Sequence, residues 1–214
     1  MRSRNARGWW ISLASIVLCA GTVDGGIIYN GDFELGNSGF TTGYTYSPGD
    51  VFDERTYTVD TNPANSHPFA ASHGDHTSGF GNMLVVNGST TADVTVWEQA
   101  VEVNPHSQYT FSYALSSWSD YEPATLEVSI DGVSIGSATA STTTGTWTEV
   151  SYSWTSGATT SANIRIVDTC LSYGGNDFAI DDISMTTTVP VPGALVLSTV
   201  GLGLLRRLRR GKKL

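Results

Sequence analysis

Five carboxylates drawn from three short, well-separated segments of the chain could share one site. They are Asp32 and Glu34 in Asn30-Gly31-Asp32-Phe33-Glu34, Asp75 in Ser72-His73-Gly74-Asp75-His76-Thr77, and Asp181 and Asp182 in Asn176-Asp177-Phe178-Ala179-Ile180-Asp181-Asp182-Ile183-Ser184-Met185. The last segment is an apolar strand-like run broken by an Asp-Asp pair, and ionised carboxylates resist leaving water without compensation. Calcium supplies that compensation, taking six to eight oxygens from carboxylates and backbone carbonyls. An ion shared by segments so far apart in sequence would also offset the entropy of closing the chain between them. The plainer alternative is that these acids are turn formers and strand-end charges with no ion. Successive strand side chains face opposite ways, so Asp181 and Asp182 address one site only across a bulge.

Other chemistries are less well supported. His67, His73 and His76 share one loop region, but they lack a fourth ligand and a regular element to hold zinc geometry, so they read as solvent-facing loop residues. Glu98, Glu102, Glu127 and Glu149 would be candidates for paired-carboxylate glycoside hydrolysis, yet they occupy polar positions of alternating runs, the wet face of strands. No nucleophile elbow, phosphate-binding glycine loop or Ser-His-Asp order is present, and the chain reads as non-catalytic. Aromatic rings offer a binding chemistry. Trp97, Tyr109, Phe111, Tyr113, Trp147, Tyr152 and Trp154 fall within alternating runs and read as core. Trp118 and Tyr121 lie instead in Ser116-Ser117-Trp118-Ser119-Asp120-Tyr121-Glu122, where exposed rings beside acids and hydroxyls suit the face of a sugar.

The elements that must position these groups are strands. Between residues 27 and 188 the chain is rich in Gly, Ser and Thr, and no long helical period occurs. Short runs at 83–86, 94–103, 109–115, 126–130, 133–135, 147–154, 162–168 and 176–185 are separated by turn signals. Asp131-Gly132 joins two of them as a tight hairpin. Eight or nine such strands predict an all-β fold, an antiparallel two-sheet jelly-roll sandwich over 27–186. Residues 36–81 carry few apolar runs and predict long loops with one or two short strands, the usual location of binding residues.

Both ends differ from this middle. Arg2, Arg4 and Arg7 precede a nearly apolar run from Trp9 to Ala20 and then small residues. That is the order of a secretory signal peptide, here assigned as a signal helix over 1–26. At the other end a linker over 187–192 leads to an apolar run from Gly193 to Leu205, closed by Arg206, Arg207, Arg209, Arg210, Lys212 and Lys213. Thirteen apolar residues fall short of the ~20 of a spanning helix, which suits a transient sorting signal (193–214) better than a permanent anchor. Nine of the 11 Lys and Arg lie in these ends, so 27–189 holds 19 acids against Arg55 and Arg165. A field of that sign repels phosphate backbones and excludes nucleic acid as a partner, while attracting divalent cations. Cys19 belongs to the leader and Cys170 stands alone, leaving no internal disulfide.

Two resemblances follow. Pro190-Val191-Pro192, the short apolar segment and the arginine cluster together resemble the PEP-CTERM sorting signal of exported bacterial proteins, with Val191 in place of the family's Glu. The resemblance implies processing by an exosortase-type membrane protease, passing attachment to the membrane through the tail, and release to the cell surface or extracellular matrix. Asn-Gly-Asp-Phe-Glu and the distant Phe-Ala-Ile-Asp-Asp-Ile resemble the two ends of galactose-binding-like jelly rolls, including carbohydrate-binding modules. With Gly-Asp-His-Thr they also resemble MAM-type adhesion domains, whose disulfides are absent here. By position the resemblance implies Glu34, Asp75 and Asp181 as side-chain ligands of a structural Ca2+, with Asp32 and Asp182 beside them. It also implies an exopolysaccharide or surface glycan as partner.

Overall fold

A computed structural model describes residues 27–187. The expected terminal helices, most of the linker, and the sorting residues Pro190, Pro192, Arg206, Arg207, Arg209 and Arg210 lie outside the described residues.

Ten strands run in chain order: β1 (Thr45–Tyr46), β2 (Thr56–Asp60), β3 (Met83–Asn87), β4 (Thr95–Glu102), β5 (Gln108–Ser117), β6 (Thr125–Ile130), β7 (Val133–Thr139), β8 (Thr148–Thr155), β9 (Ser161–Asp168) and β10 (Phe178–Thr187). They form two sheets, one of six strands in the order β1-β2-β3-β10-β5-β8 and one of four in the order β4-β9-β6-β7. All pairings are antiparallel except β1 with β2, which is parallel; to that extent the expectation of a wholly antiparallel sandwich is corrected. The Asp131-Gly132 turn has φ of 50° and 77° and closes the β6–β7 hairpin as expected.

Alternation decides what each strand buries. Leu126, Val128 and Ile130 of β6 and Ala162, Ile164 and Ile166 of β9 point into the space between the sheets, meeting Tyr109, Phe111, Tyr113 and Leu115 of β5. Trp97 is fully buried there; removing a ring of that size from water is worth about 3 kcal/mol or less. Trp147, Tyr152 and Trp154, on the edge of the six-stranded sheet, are only partly buried.

β3 shows a different pattern. Met83, Leu84, Val85 and Val86 are all buried because both faces of this strand are covered. Leu84 and Val86 face the inter-sheet core. Met83 and Val85 join Val51, Trp118 and Ala179 in a second cluster on the outer face of the six-stranded sheet. The long segment between β2 and β3, with a single 3₁₀ turn at Pro63–Asn65, lies over that face. It is tied down by Ala71 N–H donating to the Trp118 carbonyl (2.9 Å) and by the Trp147 indole N–H donating to the Gly74 carbonyl (3.1 Å).

Candidate functional site

The acidic corner is built on β10. Phe178, Ile180, Ile183 and Met185 all face the inter-sheet core, a spacing that simple alternation would not allow. The register shifts between Asp181 and Ser184, and Asp182 has φ of 50°. This is the bulge required for the two acids to serve one corner. It returns Ile183 to the core and turns Asp182 outward. The N-terminal segment docks on the bulge through Ile27 N–H to the Met185 carbonyl (3.0 Å) and Ile183 N–H to the Gly31 carbonyl (2.9 Å). A Cβ on Gly31 would overlap the Ile183 carbonyl, so glycine is needed for this approach. Phe33 is buried in the core and leaves Asp32 and Glu34 on either side at the rim.

Asp32, Glu34, Asp75 and Asp182 line one cavity of about 450 Å³, together with Thr77 and Ser78. Glu34 Oε1 accepts from Asn82 N–H at 2.7 Å. Asp75 accepts from Ser78 N–H (3.0 Å) and Gly81 N–H (2.9 Å). Burial pushes the Asp75 carboxyl up, but these donors outweigh it and hold the group below its ordinary 3.8. Asp182 Oδ2 lies 2.7 Å from His76 Nδ1 and 2.6 Å from the Thr77 hydroxyl. Asp181 sits beneath, 1% exposed, accepting from His76 N–H (2.9 Å) and Asp182 N–H (2.8 Å). Burial, with the charges of Asp182 and Asp75 adding to it, pushes its carboxyl up to about 7.

The five acids therefore gather at one corner, and β10 is clasped to the 75–77 segment across more than one hundred residues of chain. Their all-oxygen chemistry suits a hard cation. Their placement does not preassemble a coordination sphere: among the described residues no three acidic, histidine or cysteine side chains converge to hold an ion. Each carboxylate is turned instead to a backbone or side-chain donor.

The histidines depart from expectation. None is simply solvent-facing. His76 bonds Asp182, His73 packs edge-on to Trp147 (5.7 Å), and His67 stacks on Phe52 (5.5 Å, 15°). Glu98 is half-buried, while Glu102, Glu127 and Glu149 are exposed on the outer faces of their strands as expected.

A second feature lies at the end of the sandwich where β3 and β5 finish and β10 begins. Here a cleft of about 540 Å³ is lined by the contacting rings of Phe52, His67, Phe69 and Trp118 and by Tyr121 and Tyr173. That volume is within the range of small-molecule sites. Trp118 is not the exposed platform its loop context predicted: it is 1% exposed and its indole N–H donates to the Phe178 carbonyl at 2.9 Å. It forms the floor, 4.9 Å from the His67 ring. The exposed rings are Tyr121 (72%), Phe69 (81%) and Tyr173 (85%), with Phe52 at 55%.

Glu54, Asp120 and Asp177 complete the lining. Asp177 Oδ1 accepts from Gly88 N–H (3.2 Å), and burial pushes its carboxyl up to about 7, with Asp168 adding to the effect. Phe52 and Phe69 carry no local signal in sequence, because they come to the cleft only when the loops around them are folded over the sheet.

Comparison with known proteins is consistent with this architecture. No family model and no curated protein matches the chain. Among solved structures, a Stig cyclase, Fisc, from Fischerella sp. TAU is 12% identical over 76% of this chain and 96% of its own, with a TM-score of 0.52. The MgGH51 α-L-arabinofuranosidase is 13% identical over 78% of this chain but only 27% of its own, with a TM-score of 0.51. The CBM22-1 xylan-binding domain from Paenibacillus barcinonensis Xyn10C is 13% identical over 73% of this chain and 90% of its own, with a TM-score of 0.48. At such identities the likeness to the cyclase and to the arabinofuranosidase is one of fold alone, and this chain is an all-β two-sheet sandwich.

Proposed function

We propose that this chain is an exported, non-catalytic module that binds a glycan at the cell surface or in the extracellular matrix. The supporting observation is the end cleft, where exposed rings and carboxylates line one space of ligand size. Aromatic faces take the C–H faces of sugars, and carboxylates accept from their hydroxyls. The segment before β3 covers the outer face of the six-stranded sheet around Met83, Val85 and Ala179, and the cleft opens at the end of that covered part. Export rests on the leader at 1–26, and sorting by an exosortase-type protease rests on the 193–214 tail. The corner of Asp32, Glu34, Asp75, Asp181 and Asp182 is proposed to take a structural Ca2+ after side-chain rearrangement; it plays no part in glycan contact.

Affinity electrophoresis through gels containing polysaccharides, with tryptophan fluorescence as a second readout, tests the reading. Retardation with a change in tryptophan emission supports it, since Trp118 floors the cleft. Mobility and emission both unchanged across the panel would leave a structural matrix protein without a glycan ligand. Release of reducing sugar would make the chain an enzyme.

A further inference from the structure

The charge of the cleft bears on which glycans it accepts. Its acidic lining groups are Glu54, Asp120 and Asp177, and its one basic lining group, His67, is pushed toward the neutral form by burial. The described residues contain two arginines and no lysine, and neither arginine is among the groups that line the cleft. Arg165 pairs with Asp93 (2.8 Å) and the Thr95 hydroxyl, and Arg55 Nε donates to the Gly43 carbonyl. An anionic sugar needs a guanidinium, an ammonium or converging N–H groups to replace the water it loses. The lining places carboxylates where those would stand.

Neutral sugars pose no such demand. Each ring presents hydroxyl donors to carboxylate acceptors and an apolar face to Tyr121 or Tyr173, whose exposure leaves both free to stack. Glu54 Oε1 already accepts from the Thr90 hydroxyl at 3.1 Å, which fixes the acceptor without cancelling its charge.

Resting on the glycan-binding reading, we infer that the end cleft selects neutral, hydroxyl-rich glycans over uronate or sulfated ones, with Tyr121 and Tyr173 as stacking platforms and Glu54, Asp120 and Asp177 as acceptors. The test runs the full-length chain on gels containing a neutral glucan, a neutral galactomannan, alginate or a sulfated galactan. Salt is set high enough to screen the protein's overall negative charge. Tyr173→Ala, Tyr121→Ala and Glu54→Lys/Asp120→Lys run beside it, with near-ultraviolet circular dichroism checking that each variant is folded.

Retardation by a neutral polymer alone, weakened about tenfold by either tyrosine substitution as expected for a central aromatic contact, supports the inference. Gain of alginate binding in the lysine variant supports it further. Retardation by an acidic polymer that Tyr173→Ala abolishes overturns the neutral selectivity while leaving the glycan-binding reading intact. Neutral retardation indifferent to both tyrosine changes overturns the cleft assignment alone. No retardation on any polymer removes both.

Discussion

Asp168→Asn should stabilise the protein at alkaline pH and leave it nearly unchanged in acid. Asp168 ends β9 on the same parity as Ala162, Ile164 and Ile166, which carries it into the interior, where it is 4% exposed. Its Oδ1 accepts from Thr125 N–H (3.2 Å) and Cys170 N–H (3.0 Å), while Oδ2 makes no hydrogen bond of ordinary geometry among the described residues and only the Asn176 side chain weakly favours its ionised form. Burial pushes its carboxyl from 3.8 up to about 7. An acid whose folded value is raised stabilises the fold fully below its unfolded value, and that stability is lost as pH rises through the folded value. At 1.36 kcal/mol per pH unit between those limits, ionising Asp168 costs roughly 4 kcal/mol as a ceiling. Asparagine keeps the oxygen that accepts both N–H groups and replaces only the other one. Urea denaturation followed by tryptophan fluorescence should therefore show coincident midpoints near about pH 4 and a variant midpoint higher by up to about 2 M near about pH 8. Asp177→Asn, alone and combined, separates the coupling between the two buried acids. A variant less stable at alkaline pH, or a gap that does not change with pH, would refute the reasoning, because it would mean the Asp168 carboxylate is charged and well partnered in the fold.

Three further outcomes follow from the packing. Gly31→Ala drives a methyl into the Ile183 carbonyl, backbone against backbone, and should cost about 1–3 kcal/mol in thermal or urea unfolding. An unaffected melt would mean the N-terminal segment is not docked on the β10 bulge. Trp118→Ala removes a fully buried ring and leaves the Phe178 carbonyl without its indole donor; a loss of about 3–5 kcal/mol is expected, whereas Tyr173→Ala should leave stability unchanged within about 0.5 kcal/mol. Excess chelator should lower the melting temperature if Ca2+ occupies the acidic corner, with calcium but not magnesium restoring it. A melt indifferent to chelation sinks the calcium proposal and leaves the hydrogen-bonded clasp as the whole account of that corner.

Much of the fold is legible along the chain, because a sandwich strand is a local pattern. Leu126-Glu127-Val128-Ser129-Ile130 alternates whatever lies opposite it, and Asp131-Gly132 sets its own turn. Proximity of the acids was legible as well, since the closing strand contains a pair that cannot simply be buried. Tertiary structure alone decided how they are arranged. The bulge at Asp182 depends on the phase in which Ile180 and Ile183 meet the core, and both acids take a partner from His76 or Thr77 on a distant loop. The same holds for Trp118. Its neighbours in sequence are those of an exposed loop, but the segment before β3 folds over it and makes a second core. Residues by themselves specify which positions of a strand seek water. Whether a given outer face meets water or another part of the chain depends on contacts between segments far apart in sequence, and here those contacts turned a loop tryptophan into a cleft floor and left Phe69, Tyr121 and Tyr173 at the opening.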